Sequence, residues 1–124
     1  MVSSDSASNP LIFGRNNSED MRIDGSGNVG IGTTIVDEML HLEKSSGTVL
    51  VKTEVASNSV VGFNIKKTGA TTQECKIADG QSANGKLEIY DVTDSRSVMI
   101  FDGDGNVGIG CTPDQPLQVK GIIE

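Results

Sequence analysis

The chain has few aromatic residues, which limits the core that one copy can build. Aromatic residues make up 3% of its 124 residues and there is no Trp, whereas glycine occurs 15 times. Large apolar side chains supply most of the area whose burial drives folding. A chain with so few of them needs oligomerisation or a core shared between stacked repeats. Regular alternation of Val, Ile and Leu with polar residues argues against disorder.

Basic residues are also scarce. Lys and Arg number 10 against 17 Asp and Glu, so the formal net charge is −7. Nucleic-acid binding needs basic patches that neutralise phosphate, and anionic membranes attract the same patches. The composition therefore argues against both partners and favours a solubilising role for the acidic surface.

Paired cysteines, a signal peptide and long apolar runs are also missing from the sequence. Cys75 and Cys111 lie far apart without a CxxC pair, so neither a zinc site nor a disulfide framework is predicted. The N-terminal residues have neither the basic start nor the apolar centre of a signal peptide. No run of 18 apolar residues occurs, so we expect no membrane insertion. No cofactor-binding motif is recognisable, and we expect no cofactor.

What the chain does contain is an internal repeat. The segment 21–34 returns at 99–112, and both copies share the string Gly-Asn-Val-Gly-Ile-Gly. Each copy predicts a β-hairpin, because glycines between two short apolar strands supply the positive φ of a tight turn. Such repetition is typical of arrays that act as scaffolds or binding surfaces.

In the returning strand of each hairpin, large apolar residues alternate with glycines. Val29 and Ile31 would lie on one face, and Gly30 and Gly32 on the other. Two explanations stay open for the glycines: another backbone, such as a neighbouring chain near a symmetry axis, packs on them, or the chain bends there.

Between the copies, short strands alternate with polar turns. This pattern predicts an all-β fold, a short-stranded antiparallel sandwich or barrel-like module. We expect a flexible lead-in over 1–20 with an extended patch at Leu11–Phe13, hairpin repeats over 21–42 and 99–124, and a central β module over 43–98. The link before Leu40 has room for one helical turn at Asp37–Leu40. The predicted central strands are Thr48–Lys52, Val60–Ile65, Glu74–Ala78, Lys86–Asp91 and Ser97–Phe101.

The repeat resembles one found in fibre and appendage proteins of tailed phages. The likeness rests on Met-Arg-Ile-Asp-x-x-Gly-Asn-Val-Gly-Ile-Gly-Thr followed by Leu-x-Leu or Leu-x-Val, and it covers residues 21–42 and 99–121. Copy one departs from it at Ile35-Val36, where proline is usual, and copy two at Cys111, where threonine is usual. The self-cleaving chaperone domain that often follows the motif is absent, so no Ser/Lys site is carried over.

The resemblance implies a homotrimer in a virion fibre that contributes to host attachment. The residues expected at the trimer interface are Val29, Gly30, Ile31, Gly32, Val107, Gly108, Ile109 and Gly110. Loops that could face a host glycan or protein are long and polar, and their candidate residues are Thr71, Thr72, Gln73, Gln81, Ser82 and Asn84. The alternative is a non-viral carbohydrate-binding or adhesin module.

Catalysis is not expected. No Ser/His/Asp or Cys/His arrangement is recognisable, and glycan hydrolysis would need aromatic platforms that this chain lacks. Neither glycine-rich segment continues into the Lys-Ser/Thr of a phosphate loop. Asp102–Asn106 resembles the start of an EF-hand, but Val107 and Pro113 occupy its required Gly and Glu positions. A weak cation site there, or one formed by three copies of His41, stays open.

Overall fold

The structure, a computed structural model, describes residues 2–3 and 9–121, and every regular element in that part of the chain is a β-strand. The chain divides into two compact units, 1–51 and 52–124. The strands are β1 (Val2–Ser3), β2 (Leu11–Arg15), β3 (Ser18–Ile23), β4 (Val29–Ile31), β5 (Leu40–Leu42), β6 (Val61–Lys67), β7 (Gln73–Asp79), β8 (Leu87–Asp91), β9 (Arg96–Phe101), β10 (Val107–Ile109) and β11 (Leu117–Val119).

Each unit contains one sheet. The strand orders are β1-β2-β3-β4-β5 and β11-β10-β9-β8-β7-β6. The all-β prediction is confirmed, but the sheets are mixed rather than purely antiparallel, because β4 pairs with β5 and β10 with β11 in parallel. In both cases the link crosses the glycine side of the preceding strand and returns beside it in the same direction.

Both predicted hairpins are present, as β3–β4 and β9–β10. In the first, the Asp24 amide donates to the Asn28 carbonyl at 2.9 Å and the Gly27 amide to the Asp24 carbonyl at 3.0 Å. Gly27 has φ +88°, a conformation that side-chain-bearing residues rarely adopt. The second hairpin makes the same two bonds among Asp102, Gly105 and Asn106.

The structural repeat is larger than the sequence repeat. Strands β2–β5 and β8–β11 have the same pairing order, the same directions and a register shift at the same place in the first hairpin. The first unit's repeat therefore begins at Leu11, inside the segment 1–20 where we predicted a flexible lead-in. Within that segment, the structure places β2 and the first half of β3; Met1 and residues 4–8 lie outside the described residues.

Four of the five predicted central strands match β6 to β9, and the fifth is wrong. Residues Thr48–Lys52 form no strand, although Val49, Leu50 and Val51 are residues that often occur in strands. In the described part of the chain no neighbouring strand pairs with this segment, and without one a strand has no hydrogen-bond ladder. The helical turn considered at Asp37–Leu40 is not formed either; the link runs directly into β5.

Candidate assembly surface

One face of the first sheet consists of large apolar side chains. Cross-strand partners share a face, so the printed registers define two rows across β2 to β5. These rows are Leu11, Ile23, Val29 and Leu40, and Phe13, Met21, Ile31 and Leu42. Several of the eight are open to solvent in the single chain; Leu40 is 58% and Ile31 41% exposed. We call this surface the open face of the first unit.

The second sheet has a corresponding open face. Its main row runs across all six strands, and a second row crosses β8 to β11 at the other register position. Exposure is again high, 49% for Phe63 and 63% for Leu117. The rows are Phe63, Ile77, Ile89, Met99, Ile109 and Val119, and Leu87, Phe101, Val107 and Leu117.

On the opposite face of each sheet, the chain's own link covers the middle glycine of the motif. A Cβ built on Gly30 would lie 2.7 Å from Val36 Cγ2, and one on Gly108 would lie 2.2 Å from the Cys111 carbonyl oxygen and 2.8 Å from Pro113 Cδ. We therefore call it the covered face. Close approach of a backbone is thus present at Gly108, but the backbone belongs to the same chain.

The last glycine of each motif stands at a bend, and Gly32 is also approached by backbone, because a Cβ built on it would lie 2.2 Å from the Glu43 carbonyl oxygen. Gly32 has φ +77° and Gly110 has φ +69°, so both stand at bends that favour glycine. Of the eight residues predicted at a trimer interface, the four apolar ones lie on the open faces. The four glycines are explained within one chain, two by the links and two by the bends.

The aspartate of each hairpin turn is engaged by the turn itself. Asp24 Oδ1 accepts the amides of Ser26 and Asn28, both at 2.8 Å, and Asp102 Oδ1 accepts those of Asp104 and Asn106 at 3.0 and 2.8 Å. These bonds, led by the Asn amide, hold the pKa of both carboxyls below the usual range. Among the described residues, no group of three or more His, Cys, Asp or Glu side chains is placed to hold a metal ion.

The covered face of the second unit contains a buried glutamate that the sequence did not reveal. Glu88 is fully buried; its Oε1 accepts the Ser82 amide and hydroxyl at 2.8 and 2.6 Å, and its Oε2 accepts the Ser97 hydroxyl. Burial alone would raise the pKa of this carboxyl, but the hydrogen bonds outweigh it and the pKa is lowered. In the sequence Glu88 alternates with Leu87 and Ile89, which is also the pattern of a solvent-facing residue.

The predicted receptor-facing residues fall into two groups. Three have side chains engaged within the chain: Gln73 donates to Asp91 Oδ1 at 2.8 Å, Gln81 accepts from Lys76 at 3.1 Å, and Ser82 donates to Glu88. The others, which are exposed and able to contact a partner, are Thr71, Thr72 and Asn84.

His41 lies on the covered face, opposite Gly30 in the register. Its Nδ1 faces the Asp37 amide at 3.5 Å, a long contact. The second unit has Gln118 at this place, whose Oε1 accepts the Asp114 amide at 3.0 Å. The shared geometry indicates that His41 supports the link between β4 and β5.

No protein-family model matches the chain, and a search of curated proteins finds no significant match. The part of the chain that the structure describes has no helix that is long and apolar enough to span a membrane.

Proposed function

We propose that this chain is a structural module of a phage tail fibre or related virion appendage, assembled as a homotrimer and contributing to host attachment. Two observations support the proposal. The repeat over 21–42 and 99–121 resembles that of fibre proteins, and both sheets carry an open apolar face. The second observation carries the most weight, because it is physical and is found independently in each unit.

The open faces favour assembly because their exposure to water is costly. Burying apolar surface contributes about 25 cal/mol per Å². Monomeric proteins rarely expose contiguous apolar patches beyond a few hundred Å². In the single chain, two residues, Ala78 and Ile100, account for the buried hydrophobic side chains among the described residues. Contacts between copies would supply the core that one chain lacks.

Identical chains are expected to cover one another symmetrically, since most soluble oligomers have closed point-group symmetry. The number three comes from the resemblance to fibre proteins. In this arrangement the open face of each unit packs against other copies, and Val29, Ile31, Val107 and Ile109 contribute to the contacts between chains, which we call the seam.

Host contact would fall to the loops that the fold leaves exposed. Thr71 and Thr72 precede β7, and Asn84 lies in the loop before β8. Their hydroxyl and amide groups are able to hydrogen-bond a glycan or a protein surface. The same residues would serve the alternative function, a non-viral carbohydrate-binding or adhesin module.

The mass in solution, measured by light scattering during size-exclusion chromatography, tests the proposal. A particle of three times the 13.0 kDa chain mass is the expected result. A stable monomer would refute the trimer and favour the independent binding module. A glycan array then tests attachment, with Thr71→Ala/Thr72→Ala as the variant and Thr34→Ala, an exposed threonine outside these loops, as the control.

A further inference from the structure

The segment Thr48–Glu54 combines strand-forming sequence with exposed apolar side chains. Leu50 is 83% exposed, Val51 54% and Val49 45%. Val and Thr are enriched in strands, and this run has three consecutive apolar residues, Val49 to Val51, between Thr48 and Lys52. No backbone hydrogen bond joins the segment to a strand within the described part of the chain.

Such a segment is unfavourable when it stands alone. Its apolar side chains need cover and its backbone amides and carbonyls need partners, and a sheet edge satisfies both needs together. The open faces could cover its side chains but would leave the backbone unpaired.

An edge of matching length is present in β6. This strand has seven residues and lies at the end of the second sheet, paired with β7 on one side. Phe63 and Ile65 are 49% and 61% exposed. The outer edge of β6 has no partner strand among the described residues, and such an edge presents amides and carbonyls with which another chain is able to pair.

We propose that residues 48–54 of one copy pair in parallel with the outer edge of β6 of a neighbouring copy. This inference rests on the proposed assembly, in which it adds an exchange of strands between copies. Parallel alignment of the two seven-residue runs sets Leu50 beside Phe63 and Glu54 beside Lys67, while Lys52 falls beside Ile65. The Glu54–Lys67 pair is the charge complementarity on which this register rests. In a closed assembly every copy donates one segment and accepts one.

Hydrogen exchange of the assembled protein tests the pairing. We expect the amides of 48–54 to exchange roughly 10-fold or more slowly in the assembly than after dissociation by dilution. An assembly whose 48–54 amides exchange as fast as in the dissociated chain would overturn the strand exchange and leave the proposed function standing. A wild-type monomer would overturn both.

Substitutions locate the pairing. Val51→Pro removes an amide from the segment, and the concentration needed for assembly should rise roughly 10-fold or more. Ala56→Pro, in the same linker but outside the segment, is the matched control and should assemble normally. Equal assembly of the two variants would contradict the proposal.

The alignment is tested by exchanging charges. Lys67→Glu should weaken assembly by placing two acidic residues together, and Glu54→Lys/Lys67→Glu should restore it. Failure of the double variant to recover would overturn the parallel register.

Discussion

The two four-stranded repeats, β2–β5 and β8–β11, have the same topology but share little sequence outside the hairpin motif. Their open faces are both built from large apolar residues, and their turn aspartates make the same bonds. Each link crosses the covered face at the middle glycine of the motif. These three features are therefore the ones the fold requires, whereas the rest of the covered face is free to vary.

The covered faces show how far that variation goes. In the first unit Arg22 forms a two-pronged ion pair with Glu19 at 2.5 and 2.7 Å and donates to the Thr34 carbonyl at 2.8 Å. In the second unit the corresponding residue is Ile100, which is 4% exposed. A partly exposed ion pair and a buried aliphatic side chain thus occupy equivalent positions in the two repeats.

Substitution of an apolar residue on an open face should have the largest effect, which is the loss of assembly. Ile31→Asp or Ile109→Asp would bury an unpaired carboxylate in the proposed seam, and we expect each to prevent assembly. Light scattering measures the mass. Ile35→Asp is the control, because Ile35 is 72% exposed in the link and lies outside the sheet.

If Ile31→Asp formed a trimer of normal stability, the placement of Ile31 in the seam between chains would be wrong. Loss of assembly in one variant alone would show that the two units do not contribute equally.

Adding a methyl group to the middle glycine of each motif should destabilise the two units to different degrees. Gly108→Ala meets a backbone carbonyl at 2.2 Å, whereas Gly30→Ala meets a valine methyl group at 2.7 Å that is able to move. We expect losses of roughly 3 and roughly 1 kcal/mol respectively, since overpacking typically costs 1–3 kcal/mol. Chemical denaturation measures both, and equal losses would mean that the links pack alike.

Glu88 makes the stability of the second unit depend on pH. Its pKa is lowered from 4.5 in the folded chain, so its contribution is complete above about pH 4.5 and declines as the pH falls through the folded-state value. Glu88→Gln places an amide against hydroxyl and backbone donors and should cost about 2 kcal/mol at pH 7.

The difference between wild type and Glu88→Gln should shrink below pH 4.5 in denaturation experiments. Glu38→Gln, at an exposed position in the first unit's link, is the control and should change stability by less than about 0.5 kcal/mol. A difference that stays constant with pH would mean that Glu88 is not the titrating group.

Local sequence rules predicted the elements that depend on neighbouring residues. The hairpins follow from the glycines of their turns, β7 and β8 follow from alternation, and β6 and β9 follow from short apolar runs between turn signals. The rules failed where a partner distant in sequence decides the outcome. Thr48–Lys52 has the pattern of a strand without a strand beside it, and the burial of Glu88 depends on Ser82 and Ser97 closing over it.

The parallel return of β5 and β11 also could not be inferred, because it depends on each link packing across a glycine. The open faces were predicted in part: alternation placed Val29 and Ile31 on one face, but only the registers show how far that face extends.

The smallest effect on stability is expected at a position where the two units have different residues that make the same contact. His41 and Gln118 each present an acceptor to the amide of an aspartate four residues earlier. His41→Gln should therefore change stability by less than about 0.5 kcal/mol, whereas His41→Leu removes the acceptor and should cost about 1 kcal/mol. Thermal unfolding compares the two variants. If His41→Gln were as damaging as His41→Leu, the imidazole would have a role that glutamine cannot fill, and the equivalence of the two links would fail at this position.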